Sequence, residues 1–403
     1  MKIVDVNEFY AERGGGVRTY VDQKLAACAA AGHELVVIAP GPEDREEARL
    51  GGRILWVRSR PLPLDPRYYL LLRERAVHAL LAREAPDVIE GSSPWTGGWF
   101  AARYRGPALR SFVFHQDPIA VYGHTLLGGL LGERSVDRLC APHWRYLRAL
   151  SARYDLTVTS GAWLAERLRA FGLRAPTAVP FGIDRTRFDP ARRDERTRRD
   201  LLARCGLGPG ATLLLCVSRH HPEKRLGTLI DAVARCRDVG LVILGDGPLR
   251  PWVERRARAA SRVHVAGFER DRAAMATMLA SGDALLHGSG AETYGLAVAE
   301  GLCAGLPAIV PDRGGAAELA TDACTERYRA GDPRACAAAI ERLLSRDRAP
   351  LRAAALQHAR AHVGSIDHHF DALLRLYAAR ATGVGDSSGS SGAHSALNSS
   401  VAA

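Results

Sequence analysis

The chain has 403 residues, 47% of them hydrophobic, with a formal net charge of +11. It is too long for one ordinary core and apolar enough to bury two or three. No apolar run nears the ~20 residues of a membrane span and no charged-then-apolar leader opens the chain, so a soluble cytoplasmic protein is expected.

Only three of the 55 basic residues are lysine (Lys2, Lys24 and Lys224), and the other 52 are arginines spread along the whole chain. Such a bias reflects a GC-rich genome better than a nucleic-acid surface, so no nucleic-acid partner is expected. The excess charge suits an anionic substrate or an acidic membrane surface. Eight cysteines lie scattered with no Cys-x-x-Cys pair, as buried thiols do.

Taken in order, Ile3 to Val6 predicts a first strand, followed by Gly14-Gly15-Gly16 and a helix over Val17 to Ala31 that Gly32 ends. Glycines before a helix let backbone N–H groups and the helix's positive end approach an anion. The spacing matches neither Gly-x-Gly-x-x-Gly nor a P-loop, and a plain glycine turn explains it almost as well.

Further strand-like runs follow at 34–39, 54–57, 87–90, 111–114 and 156–159, then at 212–218, 241–244, 263–265, 283–286 and 307–310. Continuous apolar strands interleaved with helices predict parallel sheets covered on both faces, in two tandem α/β units. The polar stretch Arg185 to Arg204 reads as the solvated linker and first helix of the second unit. The expected layout is domain one over 1–185, domain two over 205–365, a helix over 366–380 and a disordered tail over 381–403.

Phe114-His115-Gln116-Asp117-Pro118 closes a strand and puts His115 at its carboxyl edge, where structural and functional roles are about equally expected. After the first strand of the second unit comes Ser218-Arg219-His220-His221-Pro222-Glu223-Lys224-Arg225. Parallel α/β sheets bind ligands beyond the carboxyl ends of their strands, so Arg219 and Lys224 are placed to hold a diphosphate.

After the run at 283–286, glycines 288, 290 and 295 make a loop, and Leu296 to Ala304 has helical spacing before Gly305 and Pro307. Glu292 falls in the loop and Glu300 on the helix, with the amides of Tyr294, Gly295 and Leu296 at the helix N-terminus. Carboxylates beside a positive helix end suit a ligand carrying both phosphate and sugar hydroxyls. There is no nucleophile elbow, no His-Glu-x-x-His, no zinc-like spacing and no Asp-x-Asp, so neither a metal nor another cofactor is expected.

Taken together these residues resemble the retaining GT-B glycosyltransferases that include bacterial phosphatidylinositol mannosyltransferases, sucrose synthases and many polysaccharide-assembly enzymes. The resemblance runs to about residue 380. It rests on the first glycine loop, Gly32-His33-Glu34-Leu35-Val36-Val37, the Arg219/Lys224 pair, and Glu292-x7-Glu300 followed by Gly305-Leu306-Pro307. It implies two Rossmann-like domains facing each other across a cleft, with a C-terminal helix crossing back toward the N-terminal domain.

It further implies that Gly15, Gly16, Arg219, Lys224 and the amides of Tyr294, Gly295 and Leu296 hold the donor's diphosphate. Glu300 would take the ribose hydroxyls, Glu292 the transferred sugar, and His115 a place near the reacting carbon. His287-Gly288 stands where the family often has Pro-Ser, and Thr293 where glycine or serine is usual. The expected reaction moves a hexosyl group from GDP-mannose or a UDP-sugar to a lipid-linked or saccharide acceptor with retention of configuration. Front-face attack, assisted by the leaving phosphate, is the preferred course.

Arg67 to Arg83 and Tyr122 to Arg148 mix aromatic, leucine and arginine side chains as interfacial helices do, so peripheral contact with the inner face of an anionic membrane is a further expectation. The rivals are a nucleotide-sugar epimerase on the same fold and a non-catalytic nucleotide-sugar or nucleic-acid binder.

Overall fold

In the computed structural model the apolar runs assemble into two parallel sheets, one in each of two units. The structure describes residues 1–12, 16–63 and 65–381, with residues 65–67 described by backbone alone. The expected disordered tail and the glycines at 14 and 15 lie outside the described residues.

Among the described residues the first unit holds ten strands: β1 Lys2–Val6, β2 Glu34–Gly41, β3 Arg45–Arg49, β4 Gly52–Arg58, β5 Arg60–Leu62, β6 Asp65–Leu70, β7 Val88–Gly91, β8 Leu109–Phe114, β9 Leu156–Thr159 and β10 Pro176–Ala178. Eight form a sheet in the order β10-β9-β8-β7-β1-β2-β4-β3, parallel except for β3 against β4. Strands β5 and β6 make a separate antiparallel pair. Residues from Arg67 to Leu70, expected in an interfacial helix, are therefore strand, and the helix starts at Glu74.

The second unit's sheet runs β13-β12-β11-β14-β15-β16, all parallel, from β11 Thr212–Val217, β12 Val239–Leu244, β13 Val263–Gly267, β14 Ala284–Leu286, β15 Ala308–Pro311 and β16 Thr325–Tyr328. Strand β11 sits between β12 and β14, so the chain reverses its direction of sheet growth there. Beyond the carboxyl ends of such a pair, the loops diverge and leave room for a ligand.

The polar stretch before β11 includes the helix Glu195–Arg204, the first of the second unit, with one departure from a solvated reading. Arg198, on the Glu195–Arg204 helix, is buried: its guanidinium donates to Asp283 at 2.8 Å and to the carbonyls of Pro209 and Ala211 at 2.8 and 2.7 Å. Ile183, Phe188, Leu201 and Leu202 join the second unit's core, which therefore begins at Phe181 rather than at 205. Pro118–Val136 also groups with the second unit, and the helix Ile366–Ala381 groups with the first.

That last helix is tied in by a buried polar network. Tyr377 Oη donates to Glu90 Oε1 at 2.6 Å and lies 3.1 Å from Ser111 Oγ, and Glu90 Oε2 pairs with Lys24 Nζ. Lys24 is 1% exposed, with Asp5 4.0 Å away on its other side. Burial disfavours its ammonium, but Glu90 and Asp5 more than offset that and raise its pKa. Replacing Lys24 with Met would remove the charge that holds the buried Glu90 ionised, forcing its carboxyl toward the neutral form, and chemical denaturation is expected to show a loss of about 3–5 kcal/mol. Tyr377→Phe removes one charge-assisted bond and is expected to cost about 2 kcal/mol. A change under about 0.5 kcal/mol in both variants would refute the tie.

Candidate active site

The two loops at the reversal point carry the charged residues singled out from the sequence. After β11 the chain makes a short 3₁₀ turn, Pro222–Lys224, and after β14 it runs as an open loop to the helix Leu296–Cys303. Lys224 Nζ donates to Glu292 Oε1 across 68 residues of sequence, and His287 Nε2 stands 3.5 Å from the same oxygen. Burial works against the Glu292 charge, but Lys224, His287 and Arg219 more than offset it and hold the carboxyl below its usual range.

Close backbone approach makes this meeting geometrically attainable. A β-carbon on Gly288 would collide with the Lys224 carbonyl oxygen, so a glycine lets one loop pass against the other. Gly295 has φ +97°, and a β-carbon there would sit 3.0 Å from Ala316 Cα.

Arg219 projects outward, its side chain 72% exposed, with Nη2 3.6 Å from Glu223 Oε1. Glu223 is buried and its other oxygen is bonded to His221 Nδ1, so one hidden carboxylate serves both residues. Neither His221 nor Glu223 was singled out from the sequence. In a polar loop, nothing distinguishes a buried glutamate from a solvated one.

Gly295 caps the helix Leu296–Cys303, and no side chain bonds to its first amides. An uncapped helix start presents N–H groups and a partial positive charge. Tyr294 contributes only its backbone here: its ring packs at 86° against Phe181, buried, with its hydroxyl lacking a hydrogen-bond partner among the described residues. Leu296 is exposed at the helix start.

Glu300, one turn on, takes a bond from Arg272 Nη2 at 3.0 Å. Burial raises its carboxyl pKa and Arg272 opposes that rise. Arg272 also lies over the Phe188 ring, 5.5 Å from its centre. This partner, 28 residues upstream, was missed because no sequence spacing couples the two helices.

In the first unit, His115 follows β8, and the Tyr20 ring meets its imidazole edge-on at 5.3 Å. Burial, with the Lys24 charge added, pushes its pKa down to about 4. Gly16 opens the helix Gly16–Ala30, with nothing within 4 Å of where a side chain would start. Gly15 lies outside the described residues. Among the described residues, no group of three or more His, Cys, Asp or Glu side chains has metal-site geometry.

Two family models match the chain: Glycosyltransferase Family 4 over residues 14–187 and Glycosyl transferases group 1 over residues 211–346. The chain is 31% identical over 354 residues to the GDP-mannose-dependent alpha-(1-6)-phosphatidylinositol dimannoside mannosyltransferase of Mycobacterium tuberculosis, covering 86% of this chain and 88% of that one. The chain belongs to the group 1 glycosyltransferases.

Solved structures agree on the fold. Sucrose-phosphate synthase from Thermosynechococcus elongatus superposes with a TM-score of 0.76 at 19% identity, over 95% of this chain and all of that one. Anabaena HepE in complex with UDP and glucose gives 0.69 at 17% identity, over 93% and 99%. The fold is GT-B, and the protein is a glycosyltransferase that uses a nucleotide-sugar donor. The epimerase and the non-catalytic binder are not favoured.

His287 has its pKa pushed down to about 4, chiefly by burial. Both His115 and His287 are therefore neutral in the fold, where the unfolded chain would take up protons below about pH 6.5. More protons bind to the unfolded state in that window, so stability is expected to fall as pH drops from about 6.5 toward 4. His287→Gln should flatten the dependence. Imidazole NMR resonances of His115 and His287 titrating near pH 6.5 would contradict the burial reading.

Proposed function

We propose that the protein is a retaining hexosyltransferase that moves a hexosyl group from GDP-mannose or a UDP-sugar to a lipid-linked or saccharide acceptor, at the cytoplasmic face of the membrane. The observation that carries this is the Lys224–Glu292 pair at the ends of adjacent strands, beside an uncapped helix start. It joins a phosphate-seeking cation to a hydroxyl-seeking carboxylate within one bond.

In this reading Arg219, Lys224 and the amides of Tyr294, Gly295 and Leu296 hold the diphosphate. Glu300 accepts from the ribose hydroxyls, Glu292 from the transferred sugar, and His115 lies by the reacting carbon. The bond from the anomeric carbon to the phosphate oxygen breaks as the acceptor oxygen bonds to the same face. The acceptor's proton passes to the departing phosphate. Arg219 and Lys224 stabilise the charge that builds on that phosphate, a term of several kcal/mol in a water-poor site. These cations do the work a divalent metal does elsewhere, so no metal or other cofactor is invoked.

The Mycobacterium tuberculosis relative is a GDP-mannose-dependent phosphatidylinositol dimannoside mannosyltransferase, which favours the mannosyl and lipid options here. A second observation points the same way. The helix Thr125–Leu131 buries none of its residues and exposes Leu126, Leu127, Leu130 and Leu131, with Leu130 86% exposed and Arg134 exposed just beyond it. Leucines beside arginine suit the surface of an anionic bilayer.

A thermal-shift series with GDP, UDP and ADP is expected to raise the melting temperature with at least one nucleotide; no stabilisation by any would sink the donor assignment. Lys224→Ala and Glu292→Gln should each lower kcat about 10²–10³-fold with the fold intact. Glu300→Gln should act mainly on donor KM, by about tenfold or more. Binding to anionic vesicles at low salt should weaken in a Leu126→Ser, Leu130→Ser double variant, and equal binding would remove the helix from the membrane model.

A further inference from the structure

Directly after Lys224 the backbone of Arg225 adopts φ +48° and ψ 40°, the left-handed conformation that glycine takes freely and a side chain resists. An arginine there is costly unless its head group has a use. Among the described residues its guanidinium makes no hydrogen bond and has no carboxylate at ion-pair distance. It lies half-buried, its Nη1 packed where a β-carbon on Gly331 would stand.

A second guanidinium stands beside it. The Arg313 stem runs 3.2 Å from where a β-carbon of Gly290 would be, and Ala330 lies 3.3 Å from that same point, so the two arginines flank neighbouring residues 330 and 331. Arg313 is paired with Glu133, whose carboxylate also has His124 Nδ1 at 3.9 Å. Burial and the like charge of Arg313 both disfavour the Arg225 cation, and Glu133 only partly compensates. Glu133 pairs with Arg313 and lies beyond ion-pair distance of Arg225, so the two guanidiniums keep a net positive charge. Arg225 also caps the helix Leu226–Val233, which has no side-chain cap, so the positive helix end adds to that charge.

We propose that Arg225 and Arg313 form a second oxyanion site, beside the loop that carries Glu292, for a phosphate or carboxylate other than the donor's diphosphate. The carrier of that anion rests on the transferase reading: it is either an acidic donor sugar or the phosphate of a lipid acceptor. Planar guanidiniums bind both chemistries through paired N–H groups. Glu133 is the internal competitor that holds Arg313 until the ligand arrives.

The test uses the full-length protein saturated with GDP or UDP, whichever raises its melting temperature, and titrates inorganic phosphate by calorimetry. Wild type is expected to bind phosphate with the nucleotide in place. Arg225→Gly should weaken that binding at least tenfold while keeping or raising the melting temperature, since glycine relieves the left-handed strain. Glu133→Gln should tighten it several-fold by freeing Arg313. An unchanged phosphate affinity in Arg225→Gly, no phosphate binding by wild type, or an adventitious weak response equal in all variants would each overturn the proposal.

If no nucleotide binds, the transferase reading falls, and phosphate titration into the nucleotide-free Arg219→Ala protein tests the arginine pair alone. The source is read by comparing wild type with Arg225→Gly on a uronic-acid donor against a neutral hexose donor, and on a phospholipid acceptor against its dephosphorylated form. A selective loss in one arm assigns the carrier; equal ratios in both arms would overturn the site's role in substrate recognition.

Discussion

The contact between Lys224 and Glu292 is the constraint around which the second unit is organised. An ammonium and a carboxylate drawn from water lose several kcal/mol of hydration each, and only a close, well-surrounded pairing returns it. That pairing requires two loops from adjacent strands to meet. Strand order β12-β11-β14 makes them neighbours, and Gly288 removes the atom that would keep them apart. The pairing leaves the Lys224 ammonium and the Glu292 carboxylate each satisfied by the other, with His287 beside the same carboxylate oxygen.

The same logic recurs around it at lower cost. Glu223 is hidden and holds His221 and Arg219, and Arg272 rests on Phe188 and holds Glu300. In both cases one charged side chain is steadied by a partner that is itself held in place, Glu223 by burial and Arg272 by the ring beneath it. Lysine is used sparingly for such work. Of three in the chain, Lys24 and Lys224 each sit against a carboxylate in a confined space, where a compact ammonium fits better than a broad guanidinium.

Much of the architecture was legible because parallel strands buried on both faces are written as unbroken apolar runs, such as Leu213 to Cys216 or Leu241 to Leu244. What escaped was what departs from that rule. Strand β3, Arg-Glu-Glu-Ala-Arg, lies at the sheet edge with one side in solvent, and its charges read as a loop. Arg198 read as linker because burial of an arginine depends on Asp283 and two carbonyls far along the chain. The charged site residues stood out through rarity and position at strand ends. Their partners Arg272 and Glu223 did not: Arg272 reaches Glu300 from a helix 28 residues upstream, and a buried glutamate in a polar loop reads like a solvated one.

The tie between Tyr377 and Glu90 has a consequence for how the protein is made. The first unit's sheet is encoded in the opening half of the chain, yet a helix that packs on it and completes its buried hydrogen bonds is encoded at the end. During synthesis, Glu90 and Lys24 therefore wait, without their last partner, while the whole second unit emerges and folds. The domain that is translated first is the one completed last, its buried network closing only after nearly two hundred more residues have been added.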